Sequence, residues 1–234
     1  TLAAVLLMCS AASVGAGCGK SSPALLDSFG THLDTLMTSK DKLSKMDGAA
    51  ADLCVIENED EFSENDIEAP AGALFNITDQ KTLYSKNAND EREIASITKI
   101  MTALLAMKYA DLSQEVTISY TPEGLESSAV LCGFEQGDKM MLSSLLSAAL
   151  IYSGNDAAID IAIAVAGSQE AFVDMMNQES KELMTSHTHF ANPTGLTQSK
   201  HYSSVYDVYL MFQECLKYPT FRDIIARGSF LCYY

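Results

Sequence analysis

Basic residues are scarce in this sequence: 15 Lys and Arg stand against 31 Asp and Glu, for a formal net charge of −16. A surface that follows nucleic-acid phosphates needs clustered Lys and Arg, so this composition excludes a nucleic-acid-binding function. No C-x-x-C pair is present, and the cysteine spacing therefore gives no support for a zinc site. Internal repeats are absent as well. A length of 234 residues is enough to bury one substantial core, and it permits one or two domains.

The N-terminal residues, 1–17, carry no charge and do not resemble a folded domain. Their apolar core, residues 2–8, is too short to span a membrane but suits the apolar region of a secretory signal. We therefore expect the sequence to begin inside a signal peptide that runs to residue 18. Small residues followed by Cys18 resemble a bacterial lipobox, in which the cysteine is lipidated. Plain cleavage of the signal is the alternative. Both interpretations place the mature protein outside the cytoplasm, and lipidation would anchor it at the outer face of the membrane.

Residues 19–69 are interpreted as a linker in front of the folded domain. Apolar residues at helical spacings predict one or two short amphipathic helices within residues 23–45. Residues 57–68 carry seven acidic side chains in twelve positions, a run that is typical of a solvated spacer. The folded domain is therefore expected to cover residues 70–234.

The sequence contains six cysteines, of which Cys9 and Cys18 fall in the predicted signal. The other four allow three disulfide pairings, and they are equally compatible with reduced, buried thiols. These four are Cys54, Cys132, Cys215 and Cys232.

Ser96 and Lys99 stand at the start of an apolar run, IMTALLAM, that predicts a buried helix. In a helix, side chains three positions apart lie on one face, one turn from each other. An amine in an apolar setting has a lowered pKa, and its neutral form can take the proton of a neighbouring hydroxyl. Ser96 is therefore a candidate nucleophile and Lys99 its candidate base. The simpler alternative is that Ser96 caps the helix while Lys99 is solvated.

Strands are predicted before this helix and further helices after it. A hairpin is indicated by two β-rich segments on either side of a turn at residues 79–81, and a short strand by the β-branched residues 116–120. The later segments have apolar runs or helical spacings. The predicted hairpin strands are 71–78 and 82–87, and the predicted helices are 141–152, 157–166 and 169–186. Together these elements predict an α+β domain.

The tripeptide Ser153-Gly154-Asn155 lies between two of these apolar helices. Polar groups in such a position are costly unless they are hydrogen-bonded or functional. Helix capping explains the residue types, with Gly154 ending one helix and Asn155 or Asp156 starting the next. A functional loop is the alternative, because Ser-x-x-Lys followed 57 residues later by Ser-x-Asn is the arrangement of the penicillin-binding serine enzymes.

Longer stretches make this resemblance specific. The run ASITKIMTALLA resembles the nucleophile segment of the D-alanyl-D-alanine carboxypeptidases, the low-molecular-weight penicillin-binding proteins. Further stretches match in the family's order, and together they cover about residues 70–225. They are LLSAALIYSGNDAA, HFANPTGL, HYSSVYDVYLM and KYPTFRDII. Class A β-lactamases resemble the chain less, since they carry S-D-N where it has S-G-N, and their Glu-x-x-x-Asn deacylation pattern does not occur at the expected place after this motif.

The resemblance implies a penicillin-binding-protein fold, with an antiparallel sheet packed against helices, and a serine peptidase that uses no metal or cofactor. Ser96 would attack the carbonyl between the two terminal D-alanines of a peptidoglycan stem peptide, and Lys99 would accept its proton. Ser153 would relay a proton to the leaving amine, while Asn155 would bind the substrate amide and the Lys99 amine. β-Lactams would acylate Ser96 as mimics of that peptide.

The family's third motif, Lys-Thr-Gly, does not occur in the sequence. It is expected after S-G-N on a strand at the sheet edge, where it would bind the substrate carboxylate. Two interpretations are open. The sequence is a piece of a longer chain without its closing strands, which we favour, or it is a degenerate member that binds peptidoglycan without catalysis. A β-lactamase is the third alternative.

Two further features have ordinary explanations. His187 and His189 would share one face of a strand, a geometry that suits a metal pair, but the sequence offers no third ligand. Residues 192–195, NPTG, form a turn for which Gly195 supplies the backbone freedom. The counterpart of this turn in the family lies near the active-site cleft and is mainly structural.

Overall fold

The structure is a computed structural model, and it describes residues 4–9, 53–56, 67–119, 125, 127 and 129–231. Two compact units divide the chain, one up to Asp90 and the other from Glu91. The mixture of helices with small antiparallel sheets confirms the predicted α+β class. The strands are β1 (Ala4–Cys9), β2 (Ala71–Asn76), β3 (Lys81–Lys86), β4 (Glu115–Thr117) and β5 (Lys139–Met141). The helices are α1 (Lys99–Tyr109), α2 (Leu142–Ser147), α3 (Asn155–Ala166), α4 (Gln169–Glu182), α5 (Val205–Cys215) and α6 (Pro219–Ile225).

The first unit contains a three-stranded antiparallel sheet in the order β1-β2-β3. All six residues of the central strand, β2, are buried. The register pairs Gly72 with Lys86 and Asn76 with Lys81, so β2 and β3 form a hairpin. The hairpin predicted from the sequence is therefore confirmed, with its first strand two residues shorter and its second strand displaced by one residue.

The side chain of Asn76 closes the hairpin turn. Its oxygen accepts hydrogen bonds from the backbone N–H groups of Thr78 at 3.0 Å and Asp79 at 3.1 Å. Its amide donates to the Asp79 carboxylate at 2.9 Å, so the turn is held by side-chain to backbone bonds of the kind that Asn favours. A small apolar cluster packs in the same unit and consists of Ile67, Leu74, Leu83 and Tyr84.

Two short pieces of the predicted linker also contact this hairpin. Val55 forms a parallel bridge with Lys81, and its carbonyl accepts a hydrogen bond from the Thr82 hydroxyl at 2.8 Å. The carbonyl of Ile67 accepts one from the Lys86 amine at 3.0 Å. The domain boundary at residue 70 and the signal at residues 1–18 stay predictions, and the helices predicted within residues 23–45 lie outside the described residues.

The second unit is organised around α1, which follows a 3₁₀ turn, Ala95–Thr98. Seven of the eleven residues of α1 are buried, because α3, α4 and α5 pack against it. A helix surrounded in this way can be apolar on every face, which is what its Ala, Leu and Met run predicted. None of the helices in the described part of the chain is long and apolar enough to cross a bilayer.

The helix predicted at residues 141–152 starts one residue later in the structure and changes from α-helical to π-helical geometry along its length. Lys139–Met141 forms β5 instead, which pairs antiparallel with β4 and places Met140 opposite Val116, both buried. Helix α2 follows, and then a π-helical turn, Ala148–Tyr152. Residues 142–152 are therefore helical as predicted, and the start differs by one residue because three residues are too few to show the period-2 alternation of a strand.

Helix α4 ends earlier than the prediction of residues 169–186. It begins after Ser168, whose hydroxyl accepts a hydrogen bond from the Ala171 N–H, and it ends at Glu182. Met184 then adopts a φ of 58°, which stops the helix. Helices α5 and α6 pack through an edge-to-face contact between Phe212 and Phe221, with ring centroids 5.4 Å apart.

Candidate active site

Ser96 lies in the 3₁₀ turn directly before α1. The preceding residue, Ala95, has a φ of 45°, in the left-handed region that costs a residue with a side chain about 1–2 kcal/mol. Strain of this kind persists only where surrounding contacts hold it, and it clusters at functional sites. Ser96 is exposed, whereas Lys99, one turn later, is only 2% exposed. The candidate nucleophile therefore faces solvent while its candidate base is buried.

The Lys99 amine contacts four oxygens from three separate segments. Its Nζ lies 3.1 Å from Ser96 Oγ and 3.4 Å from Ser153 Oγ. It also donates to Asn155 Oδ1 and to the backbone carbonyl of Thr194, both at 2.8 Å. The structure thus brings together all four residues that the sequence proposes for catalysis and substrate binding, Ser96, Lys99, Ser153 and Asn155, and adds a fifth group, the Thr194 carbonyl.

The chemistry of these partners determines how the amine can be protonated. The amide oxygen of Asn155 and the carbonyl of Thr194 can only accept hydrogen bonds, whereas a serine hydroxyl can donate or accept. A neutral amine has two N–H groups and one lone pair. If the two N–H groups are donated to the two acceptors, the lone pair is left to receive a proton from a serine hydroxyl. The geometry therefore fits a neutral Lys99 that acts as a base toward Ser96 or Ser153.

Burial lowers the pKa of Lys99 to about 8, against an ordinary value of 10.5. The cause is desolvation, which disfavours the charged ammonium, while the nearby Cys132 and Asp156 partly oppose the change. A substantial fraction of the amine is therefore neutral at mildly alkaline pH, as a general base requires.

The Ser153-Gly154-Asn155 loop has a different capping pattern from the predicted one. Ser153, with a φ of 65°, takes the left-handed position after the π-helical turn, and Gly154 takes the N-cap position of α3. A Cβ added at Gly154 would lie 2.3 Å from Cys132 Sγ, so any larger residue here would require the Cys132 side chain to move. The assignment of Gly154 as the C-cap and of Asn155 or Asp156 as the N-cap was therefore wrong.

Asp156 fastens a neighbouring segment to this loop. Its carboxylate is almost fully buried and accepts the N–H groups of Cys132 and Gly133, both at 3.0 Å. The backbone N–H of Asn155 donates to the carbonyl of Val130 at 2.8 Å. Residues 130–133 are thus tied to the first turn of α3, and they place Cys132 beside the site.

Residues 192–195 form the third of the segments that contact the Lys99 amine. The Asn192 side-chain oxygen accepts hydrogen bonds from the N–H groups of Thr194 at 3.1 Å and Gly195 at 2.7 Å. Thr102 of α1 donates to the Pro193 carbonyl at 2.7 Å. These bonds hold the turn so that the Thr194 carbonyl faces Lys99. A backbone carbonyl leaves no side-chain signal in the sequence, which explains why this contact was missed.

The close approach of this turn to the nucleophile segment requires a glycine. Gly195 has a φ of 86°, and a Cβ added there would lie only 1.8 Å from the carbonyl oxygen of Ala95. The predicted role of Gly195 in supplying backbone freedom is therefore correct, and its lack of a side chain matters as well.

The remaining predicted features have the following outcomes. Cys18 and Cys232 lie outside the described residues. The thiols of Cys54, Cys132 and Cys215 form no disulfide with one another. The strand expected at His187 and His189 is reduced to a bridge between His189 and Tyr202. In the part of the chain that the structure describes, no group of three or more His, Cys, Asp or Glu side chains could hold a metal ion.

Comparisons with known proteins identify a family for the chain. The model of peptidase family S11, described as D-alanyl-D-alanine carboxypeptidase, matches residues 58–226. The chain is 41% identical over 158 residues to D-alanyl-D-alanine carboxypeptidase DacF of Bacillus subtilis. The aligned region covers 65% of this chain and 40% of that protein. Among solved structures, a variant of the Streptomyces K15 DD-transpeptidase is similar with a TM-score of 0.63 and 30% identity, over 68% of this chain and 65% of the other. Penicillin binding protein 6B from Escherichia coli is similar with a TM-score of 0.61 and 25% identity, over 65% of this chain and 52% of the other.

Because the family model matches well over half of the chain, the chain belongs to the S11 family of D-alanyl-D-alanine carboxypeptidases. Its fold is that of the penicillin-binding proteins, as the resemblance implied. The chain spans about 40% of the length of the Bacillus subtilis relative and of D-alanyl-D-alanine carboxypeptidase DacC of Escherichia coli.

Proposed function

We propose that the protein is a serine D-Ala-D-Ala carboxypeptidase, which removes the terminal D-alanine from peptidoglycan stem peptides through an acyl-enzyme on Ser96. The observation that carries the proposal is the Lys99 amine, which contacts the hydroxyls of Ser96 and Ser153 while its other two partners can only accept hydrogen bonds. The family description supports the choice of substrate.

In the acylation step, Ser96 Oγ forms a bond to the carbonyl carbon between the two D-alanines, and its proton passes to the neutral Lys99 amine. The carbonyl oxygen becomes an oxyanion in the tetrahedral intermediate. The C–N bond then breaks, and the leaving amine takes a proton from the Lys99 ammonium through the Ser153 hydroxyl. Lys99 is neutral again, and the products are free D-alanine and an ester on Ser96.

In the deacylation step, a water molecule adds to the ester carbonyl carbon and gives up a proton, which the Lys99 amine accepts. The ester C–O bond breaks, and Ser96 Oγ recovers its proton. The net reaction is hydrolysis, and no metal ion or cofactor takes part in it. A β-lactam would acylate Ser96 in the same way, because its strained ring amide presents the same carbonyl and leaving nitrogen.

The decisive test is labelling with a fluorescent penicillin, applied to the full-length gene product, to its Ser96→Ala variant and to Ser113→Ala. Ser113 is an exposed serine bonded to Asp111, outside the site, and serves as the matched control. We expect labelling of the wild type and Ser113→Ala but not of Ser96→Ala. Release of D-alanine from a peptide that ends in D-Ala-D-Ala should follow the same pattern.

Other outcomes would favour the alternatives. A folded wild-type protein that takes no label and releases no D-alanine would reject the peptidase in favour of a non-catalytic protein that binds peptidoglycan. Rapid loss of the label, with turnover of the penicillin, would favour a β-lactamase.

We further propose that the protein acts outside the cytoplasm and that its precursor is lipidated at Cys18. The support is the uncharged N-terminal segment with its apolar core and the small residues before the cysteine. Metabolic labelling with a radioactive fatty acid should mark the wild type but not Cys18→Ala. Plain signal cleavage predicts no fatty-acid label in either protein.

A further inference from the structure

His201 is a buried histidine, only 4% exposed, that bonds to two different segments. Its Nδ1 accepts a hydrogen bond from the backbone N–H of Ala191 at 3.0 Å, and its Nε2 lies 2.7 Å from Thr98 Oγ1. An amide N–H can only donate, so Nδ1 carries no proton and the proton of the neutral ring is on Nε2. The Nε2–H group therefore donates to the Thr98 hydroxyl.

These two segments are the ones that meet at the Lys99 amine. Thr98 is the last residue of the 3₁₀ turn that carries Ser96. Ala191 directly precedes the 192–195 turn, whose Thr194 carbonyl accepts a hydrogen bond from Lys99. The imidazole thus connects the segment of the nucleophile to the segment that holds the base.

The fit between the two segments is tight, so their relative position should affect the site directly. Gly195 lies against the Ala95 carbonyl without room for a Cβ, and the same hypothetical Cβ would lie 2.9 Å from Thr98 Oγ1. The hydroxyl that His201 holds is therefore part of the contact surface between the segments. The backbones of Arg92 and Ser203 also pair, through hydrogen bonds of 2.8 and 3.0 Å. This pairing joins the chain just before the nucleophile segment to the chain just after His201.

We propose that His201 is a positioning residue, which sets the Thr194 carbonyl against the Lys99 amine and thereby controls the rate at which Ser96 is acylated. The rate effect rests on the proposed function, whereas the effect on Lys99 itself does not. Burial, with a smaller contribution from His189, lowers the pKa of His201 to about 4. The ring therefore stays neutral at physiological pH, and its donor and acceptor atoms keep these roles.

Paired substitutions can separate the two bonds of His201. His201→Asn keeps an acceptor near the position of Nδ1 but is too short to reach Thr98, whereas His201→Gln extends an amide N–H toward the position of Nε2. Thr98→Val removes the hydroxyl at nearly constant size, and Thr98→Ser keeps it. His189→Gln is the control, because His189 lies in the same part of the chain but bonds to the Lys200 carbonyl instead.

The first measurement is the acylation of Ser96 by penicillin, resolved into the dissociation constant and the maximal acylation rate. We expect His201→Asn and Thr98→Val to lower the maximal rate about tenfold or more, with the dissociation constant nearly unchanged, because small misplacements of reacting groups cost this much. Thr98→Ser and His189→Gln should stay within about threefold of the wild type, whereas His201→Gln should also be slower, because it loses the acceptor for the Ala191 N–H. A merely structural role would lower thermal stability and leave the rate of the folded protein unchanged.

The second measurement is the titration of Lys99, followed by NMR with ¹³C-labelled lysine. In His201→Asn and Thr98→Val the pKa of Lys99 should rise from about 8 toward 10.5, since a displaced turn lets water reach the amine. If neither this pKa nor the acylation rate changes in folded Thr98→Val and His201→Asn, the inference is wrong. If the wild type is not acylated but the pKa still moves, the proposed function fails while the positioning role stands.

Discussion

Helix α1 carries a lysine near each end, and the two lysines have opposite environments. Lys99 is almost fully buried, and its partners are two hydroxyls, an amide oxygen and a backbone carbonyl. Lys108 is about a third exposed and donates to both carboxylate oxygens of the buried Glu179, at 2.9 and 2.8 Å. Burial lowers the pKa of Lys99 to about 8, whereas the hydrogen bond to Glu179 raises the pKa of Lys108 above its ordinary value.

The comparison teaches that burial and the charge of the acceptors around a lysine decide its chemistry more than the helix that carries it. Neutral acceptors hold the Lys99 amine in place without fixing its charge, so it can gain and lose a proton. A carboxylate stabilises the ammonium of Lys108 and keeps it charged. The neighbours that make this difference come from other parts of the chain, namely the Ser153–Asn155 loop and the 192–195 turn for Lys99, and α4 for Lys108.

The largest expected effect comes from removing each amine in turn. Lys99→Met should lower the rate of Ser96 acylation by about 10³, because the serine loses its base. Lys108→Met, the matched change at the other end of the helix, should leave the acylation rate of the folded protein within about twofold. Stopped-flow measurement of penicillin acylation checks both. Equal losses in the two variants would mean that the lysines differ less than their surroundings suggest.

The next effect is the pH dependence of the wild type. The neutral amine is the active form, so the acylation rate should rise with pH up to about 8 and then level off. Between pH 6 and pH 8 the neutral fraction grows about fiftyfold, and the rate should follow it. Lys108→Met should have the same profile. A rate that stays flat over this range would contradict a proton transfer to Lys99.

A smaller effect is expected when Lys99 is given the kind of partner that Lys108 has. Asn155→Asp places a carboxylate where the amide oxygen lies 2.8 Å from the amine, and the pKa of Lys99 should rise. A rise of one unit lowers the neutral fraction at pH 7 about tenfold, and the acylation rate with it.

Asn155→Ala is the control for this change, because it removes the same contact without adding charge. The pH profile of Asn155→Asp should be displaced to higher pH relative to Asn155→Ala, with activity partly recovered near pH 9. Two variants with the same profile would show that the charge at this position does not act on Lys99.

The smallest effect is expected at the other end of the helix. Glu179→Gln keeps the size of the side chain but replaces a charged acceptor with a neutral one, so the free energy of unfolding should fall by about 1 kcal/mol. Acylation should not change. The raised pKa of Lys108 means that the ion pair stabilises the wild type fully at neutral pH, and that this stability is lost as the pH rises beyond the ordinary lysine value. Urea denaturation at pH 7 and at a pH about one unit above the ordinary lysine value would detect both effects.

The sequence was sufficient to predict the grouping of Ser96 with Lys99, because one helical turn joins them and no distant contact is needed. The Ser153 and Asn155 contacts were predicted only through the resemblance, since local rules explain the same residues as helix caps. Those local rules then assigned the caps to the wrong positions. The hairpin and the buried helix α1 were predictable from alternation and apolar composition.

Other parts of the site depend on contacts between distant segments, and no local pattern reveals them. The Thr194 carbonyl is a backbone atom, so its role is independent of the side chain there. The space at Gly154 is limited by the sulfur of Cys132, 22 positions earlier in the chain. His201 forms a hydrogen bond with Thr98, which lies 103 positions away. Such pairs become visible only when the fold has brought the segments together.

The donor count at Lys99 has a consequence for the direction of proton movement. Asn155 and Thr194 offer the Lys99 amine only acceptors. Among the described contacts of the amine, the two serine hydroxyls are therefore the groups that can exchange a proton with it. Once Ser96 is esterified, its oxygen has no hydrogen to exchange, and the Ser153 hydroxyl remains as the group that can exchange a proton with Lys99. In the proposed acyl-enzyme, proton transfer from Lys99 would therefore follow a single path through Ser153, and substitution of Ser153 should change how long a bound penicillin remains attached to Ser96.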